Sequence, residues 1–162
     1  DTPMADGTGL RLMTPDEFAA VVGLAGALTA WFNDDGIAQI AVAVHQEKGA
    51  VAEAGGAVGG FVTWYTLDDG VGEIGWIAVS ADRHRGVIGR LLLEVAEEEL
   101  RDTGVTELLV ETLGESVVYE PDERTLAFYR ALGFRYFKRV IKENPGMPES
   151  LTLKKRLSPS HG

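Results

Sequence analysis

Three arginines and a histidine crowd into eight residues of an otherwise acidic chain, in the run Arg83-His84-Arg85-Gly86-Val87-Ile88-Gly89-Arg90. Cations and glycines where a helix begins suit a polyanion, because the first N–H groups of a helix have no internal acceptor and its dipole favours negative charge. A strand feeds this turn, so the spacing predicts a phosphate cradle made by backbone amides over about Arg85 to Arg90. The second group with chemistry to offer is Glu73, at the start of that strand. Beside a buried strand, desolvation raises a carboxylate's pKa and lets it take a proton from an ammonium group. Glu111, on a later strand, is the reserve candidate. There is no cysteine, hence no thiol nucleophile and no cysteine zinc site, and His45, His84 and His161 show no ligand spacing. A metal enzyme is not expected.

The elements that must place these groups are legible around them. Ile74 to Val79 is nearly continuously apolar, as a strand covered on both faces would be. After the basic turn, Ile88, Leu92, Ala96 and Leu100 recur at helical spacing, Leu93 and Val95 widen the stripe, and Glu97, Glu98 and Glu99 fall on the wet side. Upstream, Leu10 to Met13 reads as a short strand behind a loose terminus of residues 1–8. Thr14-Pro15-Asp16-Glu17 carries the signature of a capped helix start, and that helix runs to about Trp31. Asn33-Asp34-Asp35-Gly36 breaks it. A second helix buries Ile37, Ile40, Ala41 and Val44, with Lys48 in its last turn and Gly49 as its stop. Val51 to Ala54 and Ala57 to Leu67 pair about Gly55-Gly56, and Asp68-Asp69-Gly70 turns into the strand from Val71. Glu107 to Leu113 is a fifth strand and residues 123–132 a last helix. Phe134 to Lys142 and Ser150 to Leu157 close a hairpin at Asn144-Pro145-Gly146.

The 162 residues suit one domain, 1–162, with a loose tail from Pro159. A net charge of −10 argues against nucleic acid and would draw cationic amines. Phe18 to Phe32 is apolar for 15 residues, too short for a span and preceded by Asp16 and Glu17. It reads as a buried helix, so no membrane partner and a cytoplasmic location are expected.

Two segments in this order carry a family resemblance. The basic turn resembles the pyrophosphate loop Q/R-x-x-G-x-G/A of the GNAT superfamily of N-acetyltransferases. Counted without gaps the loop falls on His84, Arg85, Gly86, Val87, Ile88 and Gly89; His84 replaces Gln or Arg, Val87 replaces the first glycine, and Gly89 matches. A register one residue earlier places Arg83 and Gly86 on the pattern, with Ile88 at the small-residue site. The run Asp122 to Phe134, DERTLAFYRALGF, resembles N-x-x-A-x-x-F-Y-x-x-x-G-F. Phe128, Tyr129, Gly133 and Phe134 match, while Asp122 stands for Asn and Thr125 for Ala. The resemblance covers about residues 9–157.

It implies an α/β (α+β) fold of the GNAT type: a mixed, mostly antiparallel sheet of six to seven strands, about four helices, and a splay between the fourth and fifth strands that admits a pantetheine arm. It implies acetyl-CoA as co-substrate and direct attack by a primary amine in a ternary complex. Glu73 would be the base, and Tyr129 would present its phenol to the CoA sulfur. The Ile77 amide would hold the acetyl oxygen, and Ile77, Ala78 and Val79 would pair by main chain with pantetheine. His84, Arg85, Gly86, Val87, Ile88, Gly89 and Arg90 would bind pyrophosphate, with Asp122 and Phe128 also on the cofactor. Trp31, Phe32, Asp34 and Asp35 would face the acceptor, a small amine or peptide amine, and the stretch 114–121 would help select it. A homodimer is compatible with the family. The alternative is a catalytically weak acyl-CoA sensor, suggested by Val87 and Asp122. A Rossmann or P-loop nucleotide binder is disfavoured, since neither GxGxxG nor GxxxxGK[ST] occurs.

Overall fold

The computed structural model describes residues 2–3, 9–27, 34–54, 57–68, 70–79, 85–113, 127–144 and 147–157. The chain forms two compact units, one of residues 1–65 and 74–100, the other of residues 66–73 and 101–162.

In the first unit the strands run in the order β1 (Thr2–Pro3), β2 (Gly9–Leu12), β3 (Lys48–Ala54), β4 (Ala57–Asp68) and β5 (Val71–Val79), with β4 and β5 continuing past its bounds. β1 to β4 pair antiparallel, with Leu10 opposite Ala52 and Val51 opposite Phe61. β1 is a correction. Residues 1–8 read as a loose terminus, yet Thr2 and Pro3 pair with Leu10 and Gly9. The other seven strands are the number expected.

Thr14 opens the helical segment as predicted: its N–H donates to Glu17 Oε1 at 2.9 Å. Pro15–Glu17 form one tight 3-10 turn before α1 (Phe18–Ala27). Glu17 is buried, and the Arg11 guanidinium donates to both Glu17 and Glu53. α2 spans Asp34–Gln46. The expected break at Asp34-Asp35-Gly36 is therefore this helix's first turn, where acidic residues complement the dipole. Its end also differs from expectation. Lys48 and Gly49 belong to β3, and a Cβ on Gly49 would lie 2.8 Å from Met13 Cε and 2.9 Å from the Val62 carbonyl. Gly49 thus admits a close neighbour and does not stop a helix.

α1 and α2 bury Val21, Ile40 and Val44 on Val51 and Phe61, with Trp76 and Ala78 packed against the cluster. α3 (Arg85–Asp102) carries the predicted stripe: Ile88, Leu92, Leu93, Ala96 and Leu100 are all buried. A Cβ on Gly60 would touch Leu92 Cδ1 at 3.2 Å and Ile88 Cγ2 at 3.4 Å, so α3 lies against β4 at a place only a glycine leaves open. Gly60 and Phe61 alternate on the strand, which sets α3 on the sheet face opposite α1 and α2. Glu97 departs from the expected wet face and is buried. Ile74 to Val79 is less covered than predicted. Ile74 and Val79 are buried, whereas Trp76, Ile77 and Ala78 are only half-buried.

In the second unit β6 (Glu107–Leu113), β8 (Met147–Arg156) and β7 (Arg135–Asn144) lie side by side in that order, antiparallel, with Val110 and Tyr136 both opposite Leu153. The hairpin is longer than predicted at both strands. Gly70, with φ +80°, makes the turn ahead of β5, and its carbonyl accepts from the Thr106 and Glu107 amides. Residues 127–131 are helical, and Gly133 leaves the helix at φ +100°. Its N–H donates to the Arg130 carbonyl and that of Phe134 to the Tyr129 carbonyl, each at 3.1 Å, which fixes the turn that follows Tyr129.

Candidate functional site

The phosphate-binding candidates divide at the start of α3. Arg85, Gly86 and Val87 form its first turn, and their amides precede the first helical hydrogen bonds. The amides of Ile88, Gly89 and Arg90 lie where the helix supplies carbonyl partners, so the free set is narrower than the one read from sequence. Val87, in place of the family's first glycine, is exposed, as is Arg90, whereas Ile88 and Gly89 are buried. No acidic residue lies in the first turn to oppose an anion, so the donor set fits the diphosphate of acyl-CoA. His84 and Asp122 lie outside the described residues, as do Trp31, Phe32 and the stretch 114–121. Asp34 and Asp35 are placed only by backbone.

Ile77, Ala78 and Val79 end β5, directly upstream of that turn, and Glu73 lies half-buried near the other end of the strand. Glu111, the reserve carboxylate, is exposed on β6.

Tyr129 is 3 % exposed. Its ring stands edge-on to Phe128, centroids 5.3 Å apart, and to Phe134 at 5.4 Å. Burial pushes the phenol's pKa well above its ordinary value. The group therefore keeps its proton throughout the physiological range.

The sequence reading missed a carboxylate. Glu47 follows α2, its N–H held to the Ala43 carbonyl at 2.7 Å, and its Oε1 is a buried side-chain oxygen without a hydrogen-bond partner among the described residues. The oxygen sits over Gly75. A Cβ there would lie 2.1 Å from Glu47 Oε1 and 2.7 Å from Thr63 Oγ1. Thr63 is fully buried, and its Oγ1 accepts the Trp76 N–H at 2.9 Å. Burial raises the Glu47 pKa, and the Thr63 hydroxyl draws it partly back. Glu47, Gln39, Gln46 and Trp76 line an open cleft of about 410 Å³. Neither the charge pattern nor the helical period marks Glu47, because the residue falls at a helix end next to Lys48. The glycine at 75 inside a strand is the one available signal of a close approach.

Two outcomes follow for this cluster. Gly75→Ala forces Glu47 to swing away and is expected to cost about 1 kcal/mol, with Glu47→Ala in the same chain recovering part of the loss. Thermal unfolding of the single and double variants checks this, and purely additive losses would refute the contact. A carboxylate with a raised folded-state pKa weakens the fold as pH rises above its unfolded value of 4.5 and through the folded one. Glu47→Gln should thus raise Tm by about 1 to 3 °C near pH 7.5 and leave it unchanged near pH 4. Melting curves at the two pH values decide the matter.

The chain belongs to the acetyltransferase (GNAT) family, whose model matches residues 29–134. Among solved structures it is similar to a GNAT-family protein from Desulfovibrio desulfuricans, with TM-score 0.81 and 19 % identity over 93 % of this chain and 99 % of that one. It is also similar to the ribosomal-protein-S18-alanine N-acetyltransferase of Escherichia coli (TM-score 0.73, 18 % identity, 94 % and 96 % covered). A third is an aminoglycoside 6'-N-acetyltransferase complexed with coenzyme A (TM-score 0.74, 13 % identity, 95 % and 99 % covered). No curated protein matches the sequence. Among the described residues no helix is long and apolar enough to cross a membrane.

Proposed function

We propose that the protein transfers an acetyl group from acetyl-CoA to a primary amine, by direct attack within a ternary complex. The observation that carries this reading is Tyr129, a phenol packed between Phe128 and Phe134 and held protonated by burial, in a chain of the GNAT family. The Arg85, Gly86 and Val87 amides hold the diphosphate, and the main chain of Ile77, Ala78 and Val79 binds the pantetheine arm, with the Ile77 N–H on the acetyl oxygen. The amine's lone pair forms the N–C bond, the C–S bond breaks, and the departing sulfur takes the Tyr129 proton. Glu73 is the base suggested by sequence.

The test is thiol release from acetyl-CoA across a panel of primary amines. Release with at least one amine that is abolished or strongly reduced in Tyr129→Phe supports the reading. Binding of acetyl-CoA without thiol release from any amine would instead identify a sensor module, the alternative that Val87 and Asp122 suggest.

A further inference from the structure

The first unit holds a built-in acceptor of positive charge that is not the carboxylate singled out by sequence. Glu47 Oε1 is enclosed by protein and makes no well-formed hydrogen bond among the described residues, the Thr63 hydroxyl being the donor beside it, and a buried carboxylate oxygen so thinly supplied with donors is a cost that folded chains rarely carry without a function. The oxygen is kept in place by an unusual concession, a glycine in mid-strand at 75 whose missing side chain leaves the space that Glu47 and Thr63 occupy. Glu47 also lines an open cleft of about 410 Å³, the size of a small-molecule site.

We propose that Glu47 seats the acceptor's ammonium group in this cleft and takes its proton, and that the cleft selects a single primary amine on a hydrocarbon or aromatic stem. This rests on the acetyltransferase reading and names its acceptor class. The stem's wall is Ala38, Val42, Ala43 and Trp76, with neutral Gln39 and Gln46. Val42 is 54 % exposed, an aliphatic side chain left open to a ligand. Among the described residues, Glu47 is the one charged side chain lining the cleft. One carboxylate matches one ammonium, whereas a polyamine or a polycationic sugar would bring further charges into an apolar wall that cannot answer them. The raised pKa of Glu47 brings it nearer that of an ammonium group and eases the transfer.

The protons balance. R–NH3+ gives one proton to Glu47, and the freed lone pair forms the N–C bond to the thioester carbon. The C–S bond breaks, sulfur is protonated, and the nitrogen's second proton restores the donor directly or through solvent. Glu47 then returns its proton to solvent, leaving N-acetylamine, CoA thiol and one proton from ammonium and acetyl-CoA.

The experiment is calorimetric titration of the full chain with phenethylamine at pH 7.5, with 2-phenylethanol as the uncharged comparison, in the wild type, Glu47→Gln, Glu47→Asp and, as a control on the exposed face of α3, Glu94→Gln. The expected result is phenethylamine binding that Glu47→Gln weakens at least tenfold and Glu94→Gln changes less than threefold. Glu47→Asp should fall between, and 2-phenylethanol should bind wild type and Glu47→Gln alike. Thermal melts confirm that each variant is folded. Equal affinity in wild type and Glu47→Gln, or no phenethylamine binding by the wild type at millimolar concentration, overturns the proposal. Phenethylamine binding that depends on Glu47 in a protein that releases no thiol from acetyl-CoA would sink the transferase reading and leave the seat standing. Thiol release that survives Glu47→Gln unchanged does the reverse.

Discussion

Tyr129→Phe should lower the rate of thiol release about a hundred- to ten-thousandfold, the span for losing a well-placed general acid, while leaving acetyl-CoA affinity within about threefold. The substitution removes one oxygen and keeps the ring between Phe128 and Phe134, so the packing survives. Tm should shift by less than about 2 °C, since only a buried hydroxyl is lost. The sign with pH is also defined. Burial holds the phenol's pKa above its ordinary value, so the donor is not lost as pH rises from 7 to 9, and the wild-type rate should show no falling limb from its ionisation there. Steady-state thiol release of both proteins over that range is the measurement. A Phe variant within fivefold of wild type would make Tyr129 a packing residue and remove the central chemical step proposed for the enzyme.

Phe134→Ala should be the most damaging single truncation in the second unit. Phe134 is fully buried, stands edge-on to Tyr129 and receives the Lys155 ammonium over its ring at 5.8 Å. Deleting such a ring removes buried area and leaves a cavity, at a cost of about 3 to 5 kcal/mol, set against a total stability of about 5 to 15 kcal/mol. Tm should therefore fall by about 10 °C or more, with thiol release falling too as Tyr129 loses one of its two aromatic walls. Phe134→Leu, which fills most of the space, should lose about a third as much. Thermal unfolding followed by circular dichroism settles it, and a fall below 3 °C for the Ala variant would mean that the ring's burial is not what holds this turn.

Much of the fold was legible where one pattern governs a segment. The stripe Ile88, Leu92, Ala96, Leu100 is buried as its spacing requires, and β6 begins and ends at Glu107 and Leu113 as read. Reading failed where a residue type serves two purposes. Asp34-Asp35-Gly36 has a turn's composition, but acidic residues also suit a helix N-terminus, and α2 starts there. Gly49 resembles a helix stop, yet what it supplies is room for Met13. Glu97 lies between Glu94 and Glu98, both exposed, and is itself buried, since a run of like residues around a helix does not all face one way. Of the proposed site, Tyr129 and the basic turn are the parts that a motif suggests, because they are local. Glu47 is not among them, because its burial depends on Gly75, 28 positions away.

The Arg11 guanidinium joins Glu17, at the entry to α1, with Glu53 on β3, while the Arg11 backbone pairs with Val51. One cation is thereby shared by the helical cover and the sheet beneath it. Fraying of the helical entry leaves Arg11 with Glu53 alone, and fraying of β3 leaves it with Glu17 alone, so each element holds the cation in place for the other.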